Sequence, residues 1–184
     1  MSPARDRKPF PGSGLLHPVV LGAVALLILN DHVFKARWPS WWTGKLSDVA
    51  GLTMFPVLLQ ALWEQAASLR ARAFRPSRAV IVVAVLLTGL CFGATKVSVE
   101  AGNMWRWALG GVQWPFRVLG AWVAGGRLPS VAPTQHTVDV TDLFTLPALL
   151  IALWLGWRRA SVMPPEDASP IPGDAPHERP HPTR

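Results

Sequence analysis

Apolar residues gather in four blocks, at 15–29, 49–63, 79–95 and 143–157, and polar residues mark where each stops. A helix needs ~20 residues at ~1.5 Å rise to cross a ~30 Å hydrocarbon core. The blocks reach that length only if their polar ends belong to the helices. The pattern therefore predicts four spans at about 15–33, 46–66, 79–97 and 139–158, with Asp48 and Asp142 about one turn inside the interface. The run AVIVVAVLLTGLCFGAT is the clearest of the four. The expected fold class is all-α, an integral membrane bundle of four transmembrane helices. The first block has the length of a signal peptide and follows Arg5, Arg7 and Lys8. Cleavage wants small residues at two fixed positions, however, and NDHVFKA offers Phe34 and Ala36. It reads as an uncleaved anchor.

The charged ends of these spans share a side. The first runs out into Asn30, Asp31, His32 and Lys35, and the second opens on Lys45, Ser47 and Asp48. The third runs out into Lys96 and Glu100, and the fourth opens after His136 with Asp139 and Asp142. Because successive spans alternate in direction, all four charged ends meet one membrane face. Five of the six acidic residues between 10 and 160 lie there, with three of the four lysines. A chain that otherwise uses arginine has thus concentrated its compact, adaptable ammonium groups in one layer.

Composition agrees with a membrane protein and narrows its functions. Half of the 184 residues are hydrophobic and 16% are charged, which excludes an ordinary soluble domain. The net charge of +7 comes from 14 Arg and 4 Lys. The arginines flank apolar blocks instead of forming one basic face, which excludes a nucleic-acid reading. They read as topology signals. Arg70, Arg72, Arg75 and Arg78 crowd the second connection, Arg158 and Arg159 follow the fourth block, and three basic residues precede the first. Both termini are therefore expected in the cytoplasm and the Lys/Asp ends outside, in a bacterial inner (plasma) membrane. Arg37, Arg106, Arg117 and Arg127 on the outer connections dilute that signal. Residues 1–14 read as a basic cytoplasmic lead, 15–159 as the membrane domain, and 160–184, with seven prolines, as a disordered tail. The ten tryptophans match an interfacial aromatic belt. Cys91 is the sole cysteine, so no internal disulfide forms.

Residues 103–124 are long enough for a fifth span but contain Arg106, Gln113, Pro115 and Arg117. Each arginine at the centre of a lipid-facing helix costs ~2.5–3.5 kcal/mol. An interfacial or re-entrant segment over the outer face is expected instead. A trace of duplication also runs through the chain: FK, a loop and KLSDVAGLTMFPVLL are echoed by TK, a longer loop and VDVTDLFTLPALLI. Two such repeats would set Lys35 and Asp48 opposite Lys96 and Asp142.

The candidate ligand-binding set is Asp31, Lys35, Lys45, Asp48, Lys96, Asp139 and Asp142. Lysines beside helix N-termini suit an anionic lipid headgroup or a lipid-linked phosphate, with Asp48 or Asp142 as acid/base candidates if chemistry occurs. His32 and His136 would be the imidazoles of a metal site, but no tight ligand motif is present and three lysines compete for the carboxylates. No metal and no cofactor is expected. Ser47 and Ser98 lack a nucleophile context and there is no phosphate-binding glycine loop, so the chain leans away from an enzyme.

A plain structural account of the same residues stays open beside this one. Asp31–Lys35 and Lys96–Glu100 are i,i+4 pairs and Lys45–Asp48 is i,i+3, so each reads equally as a local ion pair. Ser47-Asp48 and Thr141-Asp142 read equally as helix caps. Two further functions accompany the headgroup site: a small proton- or ion-coupled carrier acting as a homo-oligomer, and a structural subunit bound to a membrane partner.

The stretch LNDHVFKARWPSWWTGKLSDVAGLTMFPVLL, with DVTDLFTLPALL, resembles a group of small, uncharacterised bacterial multi-pass membrane proteins sharing LNDH-x-x-K, TGKLSD-x-x-GL and TDL-x-x-LP patterns. That resemblance implies a multi-pass membrane fold and carries no activity. The layout is faintly similar to VanZ-like membrane proteins, but it lacks their Asp-Lys-x-x-His start and Asp-x-x-x-Asn element.

Overall fold

A computed structural model describes residues 10–38, 40–70 and 76–161. The basic residues Arg5, Arg7, Lys8, Arg72 and Arg75, and the tail beyond 161, lie outside the described residues. The described chain is all-helical. Its five principal helices are α1 (Pro18–Arg37), α2 (Trp41–Ser68), α3 (Arg78–Val97), α4 (Val99–Val123) and α5 (Val140–Ser161). All but α4 are long and apolar enough to cross a membrane.

Helix α2 is the hub, packing against α1, α3 and α5. One buried cluster joins Val20, Val57, Ala152 and Leu155; a second joins Leu52, Ala148 and Leu149. Gly156 lets α5 lie directly on Ile81 of α3 and on Gln60 of α2, where no side chain would fit. At the arginine-rich end, Glu64 is buried and accepts from Arg159 at 2.6 Å and from the Gly12 amide at 2.9 Å. Arg159 also donates to Ser13 Oγ and the Phe10 carbonyl, tying the chain before α1 to α2 and α5.

Local chemistry explains where the helices begin. Helix α2 starts at Trp41, earlier than the apolar pattern places it, because Thr43 Oγ1 donates to the Ser40 carbonyl at 2.7 Å and receives the Ser40 amide at 3.4 Å. Ser47 and Asp48 consequently sit about two turns inside the helix and cap nothing. Helix α5 opens with tight 3-10 turns over Val140–Ala148, within which Pro147 gives no amide hydrogen bond. Its cap is Asp139, which accepts from the Thr141 amide at 2.9 Å. In α1 the turn Asn30–Phe34 widens to a π-helix, a form common at functional positions.

One extended residue, Ser98, separates α3 from α4. Asn103, Arg106, Gly110, Gln113 and Arg117 recur at helical spacing along one face of α4. The following chain returns over that face: Trp114 donates to the Pro129 carbonyl at 2.8 Å, Arg106 to Thr134 O at 2.9 Å, and Gly110 abuts Ala132. Met104, Val112, Phe116 and Trp122 stay exposed elsewhere on the helix. This element is one unbroken helix beginning before residue 103, and its length buries little against α1, α2 or α5.

Candidate functional site

Four charged side chains from three helices converge at one end of the bundle. Lys45 of α2 donates to Asp142 Oδ1 of α5 at 2.7 Å, and Lys96 of α3 donates to Asp142 Oδ2 at 2.6 Å. Asp48, one turn along α2 from Lys45, places Oδ2 3.3 Å from Lys96 Nζ. Asp142 and Lys96 are buried, with side chains 11% and 9% exposed. Ions at that depth stay charged only when paired, and Asp142 takes a lysine on each oxygen.

Sequence spacing sets this up. Lys45 and Asp48 share a face of α2 because they are three apart, and Lys96 arrives in the last turn of α3. Asp142 sits in the first turn of α5, where a carboxylate is also favoured by the helix dipole. Two of the expected local pairs give way to cross-helix ones. Lys45 reaches Asp142, and Glu100 accepts instead from Ser98 Oγ at 2.8 Å while Lys96 turns inward.

At the rim, Lys45 donates to Thr141 Oγ1 at 2.8 Å, and that hydroxyl donates to Asp139 Oδ1 at 2.8 Å. The Thr141 hydroxyl and amide hold the Asp139 carboxyl below its ordinary range. Glu100 is likewise lowered, by its own backbone amide and the Ser98 hydroxyl.

Asp31 and Lys35 remain apart from the cluster, paired with each other at 2.7 Å. Lys35 therefore does not stand opposite Lys96, and Lys45 occupies the place the duplication assigned to it. Asp31 belongs to a second network with a residue the sequence gave no role. Asn30, fully buried, donates to the Thr43 carbonyl at 2.7 Å and to Ser47 Oγ at 2.6 Å, and Ser47 donates to Asp31 at 2.8 Å.

His32 and His136 do not meet the aspartates as a metal site would require. His32 Nδ1 contacts the Ile28 carbonyl at 3.0 Å, and His136 Nε2 contacts the Thr95 carbonyl at 2.9 Å. Among the described residues no three His, Cys, Asp or Glu side chains gather to hold an ion.

A cavity of about 340 Å³ adjoins the cluster, at the lower end of the ~300–1,000 Å³ usual for ligand sites. Its long walls are apolar, with Leu52, Phe55 and Leu59 of α2 facing Leu87, Cys91 and Phe92 of α3. Its polar end is formed by Ser47, Asp48 and Lys96, with Trp105 of α4 and His136 beside them. Leu87 and Cys91 are exposed on the bundle surface, so the groove opens sideways between the two helices. Sequence reasoning missed Gly51, which lines this groove and leaves room where a side chain would fill it. The charged residues at stake were visible; the groove between α2 and α3 that they border was not.

The chain matches no protein family, no curated protein and no solved structure with which it was compared.

Proposed function

We propose that this multi-pass membrane protein binds a single lipid-like amphiphile at the outer face of a bacterial inner membrane. The tail lies in the groove between α2 and α3, and the head lies against Asp48, Lys96 and His136. One observation carries this reading: an apolar cavity that opens where lipid would be ends on a charged cluster. A purely structural ion-pair cluster requires no such cavity. The resemblance to small bacterial multi-pass proteins supports the same setting, as do the arginines at the opposite end of the bundle.

The test uses the protein in nanodiscs with single-chain amphiphiles carrying a diazirine in the tail. Three heads are used: an alkyl glucoside, a lysophosphatidic acid and a lysophosphatidylcholine. Saturable adducts on 52–59 and 87–92 are expected with at least one of them. Gly51→Leu fills the groove from a position with no neighbour within 4 Å of its Cβ, so it removes those adducts without unfolding the bundle. Adducts spread evenly over all lipid-facing helices, or unchanged in Gly51→Leu, overturn the reading.

A second reading, a proton-coupled carrier, draws on Lys96 lying between two carboxylates at 2.6 and 3.3 Å. Protonating one would hand the lysine to the other, and a pH-dependent flux in proteoliposomes is its test.

A further inference from the structure

Residues 98–139 leave the bundle and return to it at the charged end. Helix α4 starts one residue after α3, and the chain comes back to Thr95 through His136 before Asp139 caps α5. Both ends of this excursion are therefore fixed at one membrane face, while α4 buries little against any span but α3. Helix α4 also has two unlike sides. Met104, Val112, Phe116, Leu119, Trp122 and Val123 recur at helical spacing on one of them, each between 57% and 74% exposed. Arg106 points the opposite way from Met104, being two residues along, and shares its side with Asn103, Gln113 and Arg117.

The returning chain tells the two sides apart. It reverses at Gly125, where φ is +66°, and runs back without helix over the polar side. Among the described residues, Thr134 alone within 127–138 donates its amide, to the Arg106 carbonyl at 3.1 Å. Only the Pro129 and Thr134 carbonyls of that segment accept a hydrogen bond. Arg127, Leu128, Ser130, Val131 and Gln135 are exposed, so protein does not supply the missing partners. The remaining amides and carbonyls need water, because unpaired backbone is not tolerated against lipid. That excludes a fifth span and a re-entrant loop, either of which would carry the segment into hydrocarbon. A contiguous apolar side turned to water is unfavourable in the opposite sense. A helix of 25 residues, ~37 Å long, that starts at the membrane face has lipid beside it before any partner arrives.

We infer that α4 lies in the plane of the membrane leaflet at the charged end of the bundle. Its apolar side rests among the upper acyl chains, and residues 127–138 lie on its aqueous side. The partner of this surface is lipid, engaged through burial of apolar area. The placement does not depend on the groove between α2 and α3 and holds whether or not that groove is occupied. It also narrows the sequence expectation, which left interfacial and re-entrant paths open.

The test uses the full chain with Cys91→Ser in phosphatidylcholine nanodiscs, carrying one nitroxide at a time. Met104→Cys, Val112→Cys, Phe116→Cys and Leu119→Cys sample the apolar side; Asn103→Cys, Gln113→Cys and Arg117→Cys sample the polar side. All of these positions are exposed, so the labels leave the bundle intact. Oxygen concentrates among acyl chains and a neutral nickel chelate stays in water, so their collision rates with each label report its depth. The oxygen-to-nickel ratio is expected to be about tenfold higher on the apolar side, and even from Met104 to Leu119, as for a helix at one depth. Labels on both sides reached by nickel would place α4 in water. A ratio that climbs steadily along the helix would make it transmembrane or re-entrant. Apolar labels shielded from both probes would mean that a second copy or another protein covers that side. Each of those results overturns the inference. Hydrogen exchange of the unsubstituted chain in the same nanodiscs adds a check that no substitution can perturb. The amides of 127–138 other than Thr134 should exchange fast, and protection across the whole segment overturns the inference as well.

Discussion

Lys96 and Asp142, 46 residues apart in sequence, meet at 2.6 Å where α3 and α5 approach the same end of α2. Both side chains are about nine-tenths buried. That pair anchors the charged cluster and fixes where the groove beside it ends.

Lys96→Met should strongly destabilise the bundle. It leaves Asp48 without its ion pair and Asp142 with Lys45 alone, and breaking a buried pair costs about 3–5 kcal/mol. Thermal unfolding in detergent should show a large drop. A change no greater than that of an exposed substitution would mean the cluster contributes nothing to folding.

The two central carboxylates should separate in their effects. Asp142→Asn loses the counter-charge of both lysines and turns one accepting oxygen into an amide donor facing an ammonium, so at least one charge-assisted hydrogen bond, worth about 1.5–3 kcal/mol, is lost and thermal stability should fall. Asp48→Asn loses one 3.3 Å contact and should cost about 1 kcal/mol or less while altering ligand binding. Equal losses of stability, with no change in binding by Asp48→Asn, would count against a ligand role for Asp48.

Asp139 should add an acid-sensitive increment of stability. Its folded carboxyl is held below the usual range by Thr141, so its contribution is complete above the unfolded pKa of ~3.9 and fades as pH falls through the lower folded value. Asp139→Asn keeps a good helix cap but cannot titrate, so its melting temperature should depend less on pH below about 4. An unchanged acid profile would remove Asp139 from the account.

Two glycines should respond oppositely to alanine. A Cβ at Gly156 collides with Ile81 and lies 3.0 Å from Gln60 Oε1, so Gly156→Ala should destabilise by about 1–3 kcal/mol. Ile81→Ala in the same chain should relieve part of that loss. Gly51→Ala meets nothing within 4 Å and should be neutral or stabilising by up to about 1 kcal/mol. Melting temperatures of the three variants check the relationship.

Arg159→Met should strip the buried Glu64 of a 2.6 Å ion pair and loosen the segment before α1. Melting should fall, and limited proteolysis should cut near residues 10–16 faster than in the wild type. Unchanged cleavage there would show that the segment is held by other contacts.

How much of this was legible in the sequence differs residue by residue. Lys45, Asp48, Lys96 and Asp142 stood out because charge at the rim of an apolar span is costly and therefore sparse. Local spacing could not say which partners they take. Lys45 has Asp48 three residues away and Lys96 has Glu100 four away, yet both lysines turn to Asp142. A buried carboxylate demands counter-charge more strongly than an exposed one, and burial is a property of packed helices. Asp31 and Lys35 keep their local pairing because both are 42% exposed, and α2 adds the Ser47 hydroxyl to Asp31 but no counter-charge.

By itself, the sequence determined the helical class, the four apolar spans and the single layer that collects their lysines and aspartates. Each of these follows from the length of a bilayer and the price of charge within it. Only the tertiary structure decided that α2 sits at the centre, that Lys35 is left out, and that an apolar groove ends beside Asp48. Those outcomes depend on how helices rotate against one another, which short-range pattern does not encode. Gly156 under Ile81 and the empty space at Gly51 carry that information only after the helices have packed.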